Sequence, residues 1–428
     1  MRIIKIAIAS LLLLMPFILS AQEKNDGVFS ISAQLRARGE YRNGALYPRS
    51  EGDTPATFIN NRARLSTNYK RSNLELSLAA QHVGVWGQDP QIDNNGRFML
   101  NEAWAKLYFG ENRNFFAQLG RQSLVYDDER LLGGLDWNVS GRFHDALKMG
   151  YEDTENKFHL ILAFNQNSER FEGNYYAPGG QPYKNMQTLW YHYGNNSQPF
   201  GISLMFMNLG WQLGSESNSQ DRFMQTMGTY LTYKEGIMDI NGAFYYQSGR
   251  TPGNLSTSAF MGSLSGKVKL DPKWSLGVGA DYLSGNDNDG DKYNAFNPLY
   301  GTHHKFYGAM DYFYASQFAS SSINPGLFDV YAGIYFKASS KFDASLNYHY
   351  FSVAKDIQVN NENIKKTLGS EFDLQINYSI MPDVKLMAGY SFMLGTESMD
   401  IVKGGSRNSW QDWAWVSINI TPKLFSSK

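Results

Sequence analysis

The sequence predicts an all-β fold: an 18-stranded antiparallel transmembrane β-barrel of the outer membrane, with long extracellular loops. Three observations carry that expectation. Long segments alternate apolar and polar residues, tight and long connections between them alternate in turn, and an apolar leader opens the chain. Arg2 and Lys5 precede the apolar stretch from Ile6 to Leu19, and Leu19-Ser20-Ala21 ends in small residues before Gln22-Glu23-Lys24. That is the layout of a cleavable secretory signal, expected over residues 1–21, which leaves 22–428 as one barrel domain. Past the leader, no run of apolar residues reaches the roughly 18 that a spanning helix needs.

Composition fits the same picture. The chain of 428 residues has 27 Tyr, 27 Phe, 9 Trp and 40 Gly but no Cys. A secreted chain without disulfides must draw its stability from one large hydrogen-bonded structure. The formal net charge of −1 gives no global bias and no basic run that would suggest nucleic acid. Any electrostatic function must therefore come from local segregation of charge.

The first strand is expected over residues 29–42. Phe29, Ile31, Ala33, Leu35, Ala37, Gly39 and Tyr41 share one face, opposite Ser30, Ser32, Gln34, Arg36, Arg38, Glu40 and Arg42. A tilted strand crosses a bilayer in roughly 9–11 residues, so the length suffices. In 62–70, Arg62, Arg64, Ser66, Asn68 and Lys70 oppose Ala63, Leu65, Thr67 and Tyr69. Similar stripes recur at 157–165, 342–351 and 370–380. Strands of soluble sandwiches are nearer five or six residues, so this length favours a membrane barrel.

Turns are expected at 70–73, 110–114, 152–156, 194–199, 234–236, 271–273, 337–341 and 381–383. Longer polar connections lie at 43–56, 87–97, 123–141, 167–185, 212–221, 249–256, 286–326, 353–367 and 396–409. Eight turns and nine loops make eighteen strands, with short connections periplasmic and long ones extracellular. The segment 305–316 also reads as a strand, but an odd count would invert the later turns. It is therefore expected inside the 286–326 loop, folded inward. The last stripe sets Trp413, Trp415, Ser417, Asn419 and Thr421 against Ala414, Val416, Ile418 and Ile420, with the aromatic Phe425 close behind.

Eighteen strands leave an aqueous lumen. On the first two strands its expected cations are Arg36, Arg38, Arg42, Arg62, Arg64 and Lys70, extended by Lys106 and Lys148 and offset by Glu40 and Glu102. Later strands bring Asp239, Asp281, Glu371 and Asp373 to the polar face. Such segregation suits an anionic solute moving along one wall. Charges that pair across strands and merely keep the pore wet are the plainer reading.

The stripes break at residues 120–145, GRQSLVYDDERLLGGLDWNVSGRFHD, between the fifth and sixth strands. Gly120, Arg121, Gln122, Asp128, Glu129, Arg130, Trp137, Arg142 and Asp145 in this order resemble the signature of the bacterial alginate-export outer-membrane porin family. The stretches 100–109, 296–313, 326–339 and 346–351 resemble its other blocks. The resemblance implies a monomeric 18-stranded barrel that passes an anionic uronic-acid polysaccharide through an arginine-lined constriction. Its implied partners are outer-membrane lipid and periplasmic export components. The substrate contacts would include Arg36, Arg38, Arg62, Arg64, Arg121, Asp128, Glu129, Arg130 and Arg142. Arginine suits such a role because its planar fork pairs bidentately with carboxylates. Alternatively, Arg121, Arg130 and Arg142 pair with Asp127–Glu129 and Asp145 to pin the loop. The chain departs from the pseudomonad exporters in its shorter loops, and no turn is long enough for a periplasmic plug.

Weaker signals point nowhere else. From Asp287, position 6 is Lys292 and position 12 Pro298, where a calcium loop needs Gly and Glu, so a solvated loop is expected at 287–291. His303-His304 lacks partners at zinc-ligand spacing, and no metal or cofactor is expected. Tyr69, Tyr350 and Tyr378 fit an interfacial girdle. No nucleophile motif accompanies His144, His159 or His349, so an enzyme is not expected. The remaining alternative is a general or anion-selective porin for small solutes.

Overall fold

The computed structural model describes residues 27–89, 98–176, 180–195, 197–286, 292–316, 324–359 and 362–428. The expected leader, 1–21, and the acidic run 287–291 lie outside them. Among the described residues, eighteen long strands form the wall: β1 Val28–Asn43, β2 Ala56–Arg71, β3 Leu74–Val85, β4 Phe98–Phe109, β5 Phe115–Gln122, β6 His144–Glu152, β7 Asn156–Phe164, β8 Asn185–Tyr193 and β9 Phe200–Ser215. They continue with β10 Asn218–Glu235, β11 Met238–Arg250, β12 Ser256–Lys269, β13 Trp274–Leu283, β14 Leu327–Lys337, β15 Phe342–Ser352, β16 Thr367–Met381, β17 Val384–Gly395 and β18 Gln411–Ile420. Each pairs antiparallel with its sequence neighbours, and β18 pairs with β1, so the barrel closes without an edge. Residues Lys423–Ser426 carry that seam on along β1 after a register shift, bringing Phe425 opposite Ile31.

The period-2 stripes become the two faces of the wall with burial reversed from a soluble protein. Leu119, Leu264 and Val278 are 64, 63 and 64% exposed, while Arg38, Arg62, Asp281 and Glu371 are buried. Apolar side chains thus face outward and charges face the lumen.

The 305–316 segment is not in the wall. β13 pairs directly with β14, Asp281 opposite Asp329, and residues 296–316 turn inward. The expected loop at 212–221 is corrected: β9 and β10 remain paired to Ser215 and Asn218, leaving a turn at Glu216-Ser217. Gly214 there has φ +92°, and a Cβ would meet the Asn218 carbonyl. The alternation of side chains stops where the membrane stops. The backbone ladder needs no apolar face and runs on into solvent.

Part of the lumen is packed rather than aqueous. Ile161, Met186, Met205, Met207, Tyr245 and Met261 point inward from β7, β8, β9, β11 and β12 and are fully or nearly fully buried. Leu124, Leu131 and Leu132 of the 123–143 connection and Phe296, Met310 and Phe313 of the second inward segment pack in the same cluster. This explains why alternation is weak around β9, where both faces are apolar.

Candidate functional site: two inward loops docked on a charged wall

The 123–143 connection folds into the barrel rather than standing at its mouth. It meets the second inward segment through a short parallel pairing of Leu132 with Tyr300. The Tyr300 amide donates to the Leu131 carbonyl (3.0 Å), the Gly133 amide to Tyr300 (2.9 Å) and the Thr302 amide to Glu129 (2.9 Å). Among the described residues, seven of the ten non-glycine residues with positive φ lie in these two segments: Asp127, Glu129, Leu135, Leu299, Tyr307, Asp311 and Tyr314. Backbone strain of this kind persists where surrounding contacts over-determine it, and it clusters at functional sites.

One wall holds the first loop by its carbonyls. Arg36 on β1 sits directly opposite Arg62 on β2, an arrangement that is repulsive by itself. Both guanidinium groups donate to consecutive loop carbonyls. Arg36 reaches Asp136 O (2.7 Å) and Asn138 O (3.0 Å). Arg62, fully buried, reaches Asn138 O (2.6 Å), Val139 O (2.6 Å) and the Asp136 carboxylate. Arg38 donates to Trp137 O (3.1 Å) and to Glu40 (2.9 Å). Gln81 and Asn101 take Ser140 O at 2.8 and 3.1 Å. Five successive carbonyls, 136–140, are thus captured by side chains from β1 to β4. Arg64 lies on the same face, half-buried, with its Nε donating to Gln81 (2.9 Å). These cations are met mainly by peptide dipoles, with carboxylates supplied by Glu40 and Asp136.

The opposite arrangement holds the second segment. On β16 the buried Glu371 accepts from the Met310 amide (2.7 Å), and Asp373 from the Ala309 amide (3.3 Å). Gly308 has φ +85°, and a Cβ there would lie 2.7 Å from the Glu371 carboxylate. Backbone N–H groups therefore dock on an acidic arc, as carbonyls dock on the basic one. His349 on β15 bridges this arc, its Nδ1 3.0 Å from Asp329 on β14.

The signature residues divide between holding and facing. Arg130 is buried and its donors are taken: Asp128 at 2.7 Å, Asp281 on β13 at 2.9 and 3.0 Å, Ser263 at 2.9 Å and the Tyr307 hydroxyl at 3.2 Å. It also lies over the Phe306 ring at 4.1 Å. Glu129 accepts from Thr302 (2.8 Å), the Gly134 amide (3.2 Å) and Lys305 (3.1 Å). Burial opposes ionisation of Glu129, but the bonds from Thr302 and Lys305 hold its carboxyl below the usual range. Arg142 ties the loop to the second segment through Gly301 O (2.8 Å). Arg121 stands apart. It shares parity with the outward Leu119 and forks onto Asp145, its cross-strand partner on β6, at 2.9 and 3.0 Å. It thus faces away from the lumen.

Some contributors were marked in the sequence and others were not. Trp137 is sandwiched between Arg38 (3.9 Å) and the ring of His304 (4.1 Å, 14° between planes), with Trp413 and Trp415 edge-on at 5.6 and 4.9 Å. Lys305 projects beside them into two cavities, of about 280 and 370 Å³. Trp137 was marked as a position of the loop's signature. His304 and Lys305 had no mark beyond the His-His pair. Lys106 and Lys148, both expected among the lumen cations, form a second cationic tier on β4 and β6, with Lys106 over Phe116 at 3.9 Å.

A closed eighteen-stranded barrel with an apolar outer face and a polar lumen narrowed by its own loops is an outer-membrane channel. The chain belongs to the alginate export family, whose profile matches residues 28–397. That family membership makes it a transport protein and not an enzyme. No match was found among curated proteins. Solved porins share the fold. OccAB4 of Acinetobacter baumannii superposes with a TM-score of 0.60 at 12% identity, over 94% of this chain and 99% of that one. OccK9 of Pseudomonas aeruginosa gives 0.59 at 13% identity, over 92 and 98%. OpdK of Pseudomonas aeruginosa, solved with vanillate, gives 0.59 at 9%, also over 92 and 98%.

Proposed function

We propose that this channel passes an anionic, uronic-acid polysaccharide along its arginine-bearing wall. The observation that carries the reading is the docking of Arg36, Arg38 and Arg62 on carbonyls 136–140. A carbonyl orients a guanidinium without cancelling its formal charge, and Arg36, Arg38, Arg42, Arg62 and Arg64 outnumber the carboxylates Asp136 and Glu40 that pair among them, so a positive field persists where the loop narrows the lumen. The solute feels this field rather than direct contact, because these side chains are buried. Binding through a field is weak, as a translocating polymer requires. Asp128, Glu129, Arg130 and Arg142 serve the constriction by fixing its shape, while Arg121, paired with Asp145 on the outer face, takes no part in it. A single chain closes its own barrel, so the reading needs no second subunit.

A second reading, an anion-selective porin for small solutes, draws support from the tight locking of both inward loops and from OpdK, which was solved with a small carboxylate. Planar-bilayer conductance separates the two. Current block by added polyuronate, but not by a neutral polysaccharide of equal length, supports the polymer reading. Anion selectivity without polyuronate block supports the porin.

A further inference from the structure

We infer that Lys305 is the cation that a carboxylate on the passing solute meets directly, and that Glu129 is the counter-ion it leaves to do so. This rests on the reading above that the solute is anionic. The arginines nearest the constriction have little left to offer. Arg62 is fully buried, Arg36, Arg38 and Arg130 nearly so, and each is held by the loop or the wall. Lys305 differs: its side chain is 51% exposed and lines both cavities beside the inward loops.

The surrounding charges leave Lys305 available. Asp128 and Asp281 are taken by Arg130, and Asp329 by His349. Asp373 turns one oxygen to the Ala309 amide. What remains on Lys305 is Glu129, at 3.1 Å, and the Asp128 carbonyl at 3.3 Å. Glu129 keeps Thr302 and the Gly134 amide on Oε2 when Lys305 leaves Oε1, and its side chain is 23% exposed, so water can take up the freed oxygen. The ammonium can therefore exchange one carboxylate for another at little net change, which gives the short dwell that conduction needs. The larger cavity offers complementary polar groups in Asn347, Gln375 and Ser391, with the indole of Trp415 alongside. Asp373, at the same cavity, repels a carboxylate and biases it toward Lys305. The ligand class is thus a hydroxylated ring bearing one carboxylate.

The test uses full-length wild type, Lys305→Met, Lys305→Arg and Glu129→Gln in planar bilayers, each first checked for wild-type heat-modifiable migration. An oligogalacturonate of defined length is the probe. Lys305→Met should weaken block about two- to fivefold, the scale of one partly exposed ion pair. Lys305→Arg should retain it, and Glu129→Gln should lengthen blocked dwell times. Equal block by wild type and Lys305→Met overturns the inference. If wild type itself is not blocked, the polymer reading fails separately, and reversal potentials in a KCl gradient decide Lys305. A shift of Lys305→Met toward cation selectivity supports its role with small anions, and an unchanged potential overturns it.

Discussion

Arg130, in the middle of the inward loop, grips both carboxylate oxygens of Asp281 on the barrel wall, at 2.9 and 3.0 Å, with both side chains almost wholly buried. This fork anchors the loop to β13, six strands round the wall from β1 and its arginines. Removing one partner strands a buried charge. Arg130→Met is therefore expected to destabilise the folded barrel by about 3–5 kcal/mol. Pairing it with Asp281→Leu should recover much of that loss. Urea unfolding in detergent micelles, with the double-mutant cycle, measures both.

Arg62 spans acceptors that only a planar fork reaches together: Asn138 O, Val139 O and the Asp136 side chain. Lysine keeps the charge but presents a single point. Arg62→Lys should release the 136–140 stretch, destabilising by about 2–4 kcal/mol and giving larger, noisier unitary currents. A quiet wild-type trace from Arg62→Lys would show that charge alone holds the loop.

The wall of this channel was legible from residue order, and much of the constriction was not. Alternation placed Arg36, Arg38, Arg62 and Arg64 on one inner face, because period 2 and a lipid exterior leave no other choice. The register that sets Arg36 opposite Arg62 was not legible, because residues 44–55 form a long connection between β1 and β2. The loops follow no period. Their docking uses backbone carbonyls and amides, which every residue carries, so 136–140 and 308–310 look like ordinary sequence. The same holds for β9 and β10, whose ladder outruns their apolar stripe. Arg130 was visible as an arginine among acids, but its partner Asp281 lies 151 residues away. Lys305, following two histidines, invited a question about metals rather than about solute.

Asp127 gives the inward loop a pH dependence. Burial pushes its carboxyl up to about 6, although the Trp190 indole donates to it at 3.1 Å. A folded value above the unfolded one means that its stabilising contribution is complete below about pH 4 and is lost as pH rises through about 6. Stability should fall by about 2–3 kcal/mol across that window. Asp127→Asn should abolish this slope, as unfolding midpoints measured between pH 4 and pH 7 will reveal.

Lys403 does the converse in the connection between β17 and β18. It closes the short helix Glu397–Lys403, is buried, and donates to Ser316 at 3.0 Å. Burial pulls its ammonium down to about 7. With a depressed folded value, its contribution is present above about pH 10.5 and lost as pH falls through about 7. Limited proteolysis of this connection should therefore be slower at pH 9 than at pH 7. Lys403→Met should make cleavage insensitive to pH over that interval.

The central claim is that arginines held by peptide carbonyls leave the constriction positively charged. It is tested most directly by the reversal potential of wild-type single channels in a KCl gradient. The potential is expected to be displaced toward the chloride equilibrium value. A potential at zero, or displaced toward potassium, would contradict it.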